Sequence, residues 1–129
     1  RACYPLQLIE AQEQVRPHLV VLGNAAHSLH PIAGQGFNLS LRDTLALADT
    51  LIAAGRQQRL PGDLAVLQEY LQRQQRDQRQ TVAFSDYLTR LFSNSQPLLT
   101  IGRNLGLLGL DLLPPARRLF ARQAMGLKA

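Results

Sequence analysis

Hydrophobic positions divide the chain into one short unbroken run and four helical stretches. Leu19-Val20-Val21-Leu22 is apolar on both faces, the pattern of a strand buried in a parallel sheet. A Gly, several small residues and a Pro follow, then Gly34-Gln35-Gly36, then a helical pattern from about Asn38 to Ala54. That pattern puts Leu41, Leu45, Ala48 and Ile52 on one face and Leu47 and Leu51 on an adjoining one. Arg42, Asp43, Asp49 and Thr50 are left for the remaining stripe, so more than half the circumference asks to be covered. Gly55 is the expected stop.

A second helix is expected after the turn Leu60-Pro61-Gly62, with Asp63 as its N-cap. Its apolar stripe starts with Leu64, Leu67 and Leu71 and resumes at Phe84, Leu88 and Leu91. The stretch Gln72 to Gln80 between them has no apolar residue. The spacing predicts a continuous helix with a solvated middle, supported by ion pairs from Glu69 to Arg73 and from Arg73 to Asp77. Persistent helical spacing over so short a tract argues against a Gln-rich interaction segment.

A third helix is read over Leu98 to Leu113, with Gly102, Gly106 and Gly109 near one side, a spacing that permits tight packing on the central helix. Pro114-Pro115 ends it and opens a fourth to about Met125, with Gly126 as stop. Arg117, Arg118 and Arg122 against Leu119, Phe120 and Met125 make that last helix basic and amphipathic, suited to capping the fold or to meeting a membrane surface or partner protein. Upstream, Tyr4-Pro5-Leu6-Gln7-Leu8 reads as a short edge strand and Glu10 to Pro17 as a polar surface loop.

A chain of 129 residues is about one domain long. It begins at Arg1, and a single buried-type strand cannot make a sheet, so it is expected to be a piece of something longer. The strand's neighbours then lie upstream or in another copy, and the uncovered strand and helix face are expected to drive self-association. No signal-peptide h-region and no apolar run long enough to span a bilayer is present. A cytoplasmic protein, peripheral to a membrane at most, is therefore expected. The lone Cys3 excludes an internal disulfide and fits a reducing compartment, as a small buried filler. Fourteen basic against nine acidic residues give a net charge of +5. No nucleic-acid motif accompanies it, so no nucleic-acid partner is expected.

Candidate chemistry sits between strand and helix. Gly34 and Gly36 lack a Cβ, which lets a flat or phosphorylated ligand touch the main chain. The first turn of the next helix offers unpaired N–H groups and the positive end of the macrodipole. Asn38 is placed to cap that helix or to offer its amide to a ligand. Gly-x-Gly before a helix also serves as a plain turn, and the spacing alone leaves both readings open. His27-x-x-His30 has metal-pair spacing, but only Cys3 and His18 remain as further soft ligands where a closed site needs about four. No metal is expected, and His27 reads as a packed or hydrogen-bonded histidine.

Gly23-Asn24-Ala25-Ala26-His27, followed by Pro31 and Gly34-Gln35-Gly36-Phe37-Asn38-Leu39, resembles the second FAD-binding motif of the aromatic-ring hydroxylases related to p-hydroxybenzoate hydroxylase. With Leu41-Arg42-Asp43 it is most similar to the ubiquinone-biosynthesis branch, the 2-octaprenyl-6-methoxyphenol hydroxylase family. Tyr4-Pro5-Leu6, Tyr70, Arg73, Asp77, Asp86, Leu91-Phe92 and Arg103-Asn104 with Gly106-Leu107 extend the resemblance over essentially the whole chain.

The resemblance implies a mainly α, C-terminal helical piece of an α/β, Rossmann-like FAD-binding monooxygenase, with one or two short strands left from a sheet. Residues 1–18 would be the tail of the substrate-domain sheet and a surface loop, 19–55 the last piece of the FAD-binding domain, and 56–129 a C-terminal helical region. It implies FAD as cofactor, NAD(P)H as a possible reductant, and hydroxylation of a polyprenylated phenol with oxygen, at the inner membrane or within a ubiquinone-biosynthesis complex.

By the same resemblance the cofactor-binding residues are Gly23, Asn24, Pro31, Gly34, Gln35, Gly36, Phe37 and Asn38. Asn24 would bond a ribityl hydroxyl where most of the family has Asp. Pro31 would lie along the flavin face, and the N–H groups of Gly36, Phe37 and Asn38 would meet the pyrimidine edge. No catalytic acid or base is identified. The family's G-x-G-x-x-G element for the ADP half of FAD is not in the sequence, so the chain alone is expected to be inactive and not to retain FAD. The rival reading is a non-enzymatic helical or membrane-surface module.

Overall fold

Residues 7–31, 34–94 and 96–125 are described by a computed structural model. Cys3, the Tyr4-Pro5-Leu6 stretch and Gly126 lie outside the described residues. Four helices carry most of the chain: α1 Gln35–Arg56, α2 Leu64–Ser93, α3 Pro97–Leu112 and α4 Pro114–Ala124. Four two-residue strands precede them, β1 Ile9–Glu10, β2 Val15–Arg16, β3 Leu19–Val20 and β4 His27–Ser28. The expected mainly α architecture is the one observed, with four short strands where one or two were expected.

The strands depart from expectation in their pairing. β2 and β3 form an antiparallel hairpin, with Val15 opposite Val20 and Arg16 opposite Leu19, turning at Pro17 and His18, the latter at φ 60°. β1 pairs antiparallel with β4. Leu19 to Leu22 is therefore not seen as a parallel strand buried on both faces, and Leu19 is half exposed. The physical reason is proximity: Val15-Arg16 reaches it through a tight turn, whereas a parallel partner needs a long crossover. Glu10 to Pro17 is likewise more than a polar loop, because Val15 is buried.

Helices α1 and α2 run antiparallel, and their packing reverses the expected faces of α1. The buried residues are Gln35, Leu39, Asp43, Ala46, Thr50 and Ala54. Leu41, Leu45, Ala48 and Ile52, with Phe37 above them, are exposed. Against α1, α2 lays Val66, Leu67, Tyr70, Gln74, Gln78, Thr81, Val82 and Ser85. Gln74 and Gln78 keep the 3.6-residue register of the leucine stripe, so the tract from Gln72 to Gln80 is not solvated all round. Its inward side supplies hydrogen-bond donors to Asp43. The leucine face of α1 has no equivalent neighbour among the described residues.

Arg73 and Asp77 pair across elements and not with each other or with Glu69 along α2 as the spacing suggested, and the pair that does form along α2 is Asp86 with Arg90 at 2.7 Å. Arg42 Nε donates to Asp77 at 2.7 Å, Arg59 reaches Glu69 at 2.7 Å, and Arg73 lies 3.4 Å from Asp49. The antiparallel helix and its connecting turn bring these opposite charges together. The Arg59 contact holds the Glu69 carboxyl below its ordinary range, chiefly by hydrogen bonding. α1 continues through Gly55 to Arg56, and the left-handed residue that follows its end is Gln58 at φ 56°.

Val15, Ala46, Leu67 and Tyr70 form the core, with Val20, Leu22, Leu47, Leu51 and Leu71 packed against it. Tyr70 is fully buried and its hydroxyl has no hydrogen-bond partner among the described residues. Burial first, and the charge of Asp43 second, push its ionisation above the ordinary tyrosine range. A raised folded-state value means that stability is complete below the unfolded value, about 10, and falls as pH rises beyond it. Tyr70→Phe removes an unpaired polar group. It is expected to leave the melting temperature at neutral pH unchanged or higher, and to abolish part of the alkaline loss, as read by melting curves across pH.

The glycines of α3 do not make the close contacts expected of them. A Cβ at Gly102, Gly106 or Gly109 would meet nothing within 4 Å. α3 and α4 instead reach the end of α2 through Phe120 on Phe84, ring centroids 5.8 Å apart, and Arg103 over the Phe92 ring at 5.3 Å. Between these contacts lies an apolar cavity of about 510 Å³ walled by Leu88, Leu91, Leu107 and Leu110.

Candidate functional site

The loop after β3 begins in the left-handed backbone region that favours glycine. Gly23, at φ 64°, opens a short 3-10 helix, Gly23–Ala25, that leads into β4. A Cβ at Gly23 would stand 3.7 Å from Ser40 Oγ, and one at Gly36 would stand 3.9 Å from Leu29 Cβ. The loop from Gly23 to Leu29 is thus laid against the first two turns of α1. Ser40 Oγ donates in turn to the Gly36 carbonyl at 2.8 Å.

Gly34, at φ 66°, is the N-cap of α1, which starts three residues earlier than the hydrophobic pattern indicated. No side chain caps the helix and no acidic residue lies in its first turn. Asn38 is accordingly not the cap: it sits in the first turn, and its N–H bonds the Gly34 carbonyl at 3.1 Å. It is already engaged, so the edge-on contact expected of that N–H falls to Gly36 and Phe37, which have no carbonyl one turn back within the helix. Among the expected site residues, Asn24, Pro31, Gly34 and Phe37 are exposed, Gly36 and Asn38 partly so. Gln35 is turned inwards, 1% exposed, so its side chain faces the protein.

Such a start to a helix carries roughly half a positive charge with no side chain to offset it. It fits an acceptor atom or a developing negative charge on a ligand that approaches main chain directly. Both glycines at positive φ border this surface, and the exposed Asn24 amide lies on the facing loop.

Residues 10–85 match the model of the FAD binding domain. The chain belongs to the FAD-binding family that the ubiquinone-biosynthesis hydroxylases share. It is 42% identical to the ubiquinone hydroxylase UbiL of Rhodospirillum rubrum over 98% of this chain and 29% of that protein. It is 36% identical to the 3-demethoxyubiquinol 3-hydroxylase of Escherichia coli, over 96% of this chain and 32% of that protein. With the mitochondrial ubiquinone biosynthesis monooxygenase COQ6 of Homo sapiens it shares 36% identity, over 91% of this chain and 25% of that protein. The chain spans about a third or less of the length of these relatives.

For a member of this FAD-binding family the observed surface suits the cofactor: positive-φ glycines, uncapped amides and no nearby carboxylate in the first turn. His27 is packed, as its sequence reading expected: it is 1% exposed, with Nε2 3.1 Å from Asp43 Oδ2. Sequence reasoning missed the buried polar partners around it. Asp43, Gln74 and Gln78 were legible in principle, as polar residues that fall in step with the buried stripes of two helices.

Proposed function

We propose that this chain supplies the isoalloxazine-facing part of an FAD-dependent monooxygenase that hydroxylates a polyprenylated phenol, with NAD(P)H as the reductant. The single observation that carries the reading is the approach of the Gly23 loop to the uncapped start of α1. Gly23, Asn24, Pro31, Gly34, Gly36, Phe37 and Asn38 would hold the ring, with Gln35 contributing main chain only. When bound, FAD supplies the redox chemistry and oxygen activation. The helix start favours negative charge on the ring by about 0.3–2 kcal/mol. The glycines admit the ring to the backbone, and the Asn24 amide is able to donate to or accept from a ribityl hydroxyl.

The C-terminal helices support the lipid-like part of the substrate. Their cavity has the size and apolar lining of a small-molecule site. Leu105, Leu112 and Leu119 are exposed beside the exposed Arg117 and Arg118, an arrangement suited to a membrane surface. Among the described residues no helix is long and apolar enough to cross a membrane.

Because the relatives are about three times longer and no ADP-binding glycine motif is present here, the chain alone is proposed to lack both FAD and activity. Its exposed stripe of Phe37, Leu41, Leu45 and Ile52 is proposed to drive self-association. Gel filtration with absorbance detection checks both: the chain alone is expected to elute colourless and larger than a monomer, and the intact protein yellow. A chain that retains micromolar flavin, or an intact protein that carries none, overturns the reading.

A further inference from the structure

Asp43 places a carboxyl group on a helix face where it is 0% exposed. Its Oδ1 accepts from Gln74 Nε2 at 2.9 Å, and its Oδ2 from Gln78 Nε2 at 3.1 Å. Gln78 Nε2 also reaches Gln14 Oε1 at 3.2 Å. His27 Nε2 lies 3.1 Å from Asp43 Oδ2, off the line that a directed hydrogen bond requires. One carboxylate therefore meets α2 and β4 at once, and through Gln78 the segment before β2.

A carboxylate taken out of water is costly unless donors surround it, and α2 places two amides in its leucine register to do so. Holding α1 against α2 does not require this, since a leucine at position 43 would pack with leucines at 74 and 78. What the carboxylate adds is a contact to the loop. His27 is three residues beyond Asn24, on the strand that follows the 3-10 helix, and that helix keeps Gly23 over Ser40.

We propose that Asp43 is a positioning residue for the flavin. Acting through His27, it sets where Gly23 and Asn24 stand relative to the first turn of α1, so that the two ligand-facing segments keep one spacing. The inference rests on the flavin reading of the site.

The test uses the intact holoprotein and compares Asp43→Ala, Asp43→Asn, His27→Gln and the Asp43→Ala/His27→Gln double variant with Ala46→Gly. Ala46 lies on the same buried face of α1, in the core and away from the loop. FAD dissociation constants and the visible circular dichroism of bound flavin are read beside melting temperatures. Asp43→Ala and His27→Gln are each expected to weaken FAD binding about tenfold or more and to alter the dichroism. Asp43→Asn, which keeps one acceptor, should recover part of the loss, and the double variant should be little worse than either single. Ala46→Gly should lower the melting temperature with FAD affinity unchanged.

The proposal is overturned if affinity merely follows melting temperature across all variants, or if the two single effects add in full. Should Asp43→Ala fail to fold, His27→Gln outside the helix pair decides alone, and wild-type affinity in it overturns the proposal. A wild-type protein that holds no FAD removes the flavin reading and this inference together. One that holds FAD indifferent to these variants removes only the inference.

Discussion

Replacing Leu39 by alanine is expected to remove about 2–5 kcal/mol of stability, measured by denaturant unfolding of the chain. Leu39 is fully enclosed, one turn beyond Gln35 and one before Asp43 on the buried face of α1. The lost contacts lie directly behind the ligand-facing turn, so the start of α1 should loosen with it. Leu41→Ala and Leu45→Ala give the contrast, because both side chains are at least half exposed. Each is expected to change stability by about 0.5 kcal/mol or less. Hydrophobic patterning alone puts Leu41 and Leu45 in the core and does not single out Leu39. A large loss at Leu41 and none at Leu39 would restore that ranking and contradict the observed packing.

The second large effect is expected at Gly34. Space is not the constraint there, since a Cβ would meet nothing within 4 Å; the backbone, at φ 66°, is. A β-branched residue is strained in that region, whereas Asn enters it readily. Gly34→Val should therefore cost about 1–2 kcal/mol of backbone strain or move the helix start. In the intact protein it should weaken FAD binding about tenfold, with Gly34→Asn near wild type in the same titration. Equal loss in both would mean that the side chain, not the dihedral, is what the site rejects.

Several features were legible from residue order because they rest on local chemistry. Pro114 forced the break between α3 and α4, Gly34 marked the helix start within a few residues, and the spacing of apolar positions found four helices. The failures share one cause. Patterning assumes that the most apolar face is the buried one, which holds when the whole core is at hand. In α1 the only long neighbour among the described residues is α2, and it is matched to Asp43 through Gln74 and Gln78. Leu41, Leu45 and Ile52 have no counterpart there.

Strand order failed similarly, since the Leu19 run says it wants cover but not from which direction. The site residues were named by their likeness to a family motif, and the spacing of glycines by itself left a plain turn open. The contact between Gly23 and Ser40 is a matter of tertiary geometry that no local signal carried.

The most direct test follows amide hydrogen exchange through the intact protein with and without FAD. Protection is expected at the N–H groups of Gly36 and Phe37 and across Gly23 to Ala25, with the exchange of α3 and α4 unchanged. Protection confined to other segments, with the start of α1 and the Gly23 loop exchanging as in the free protein, would contradict the assignment of this junction as the flavin cradle.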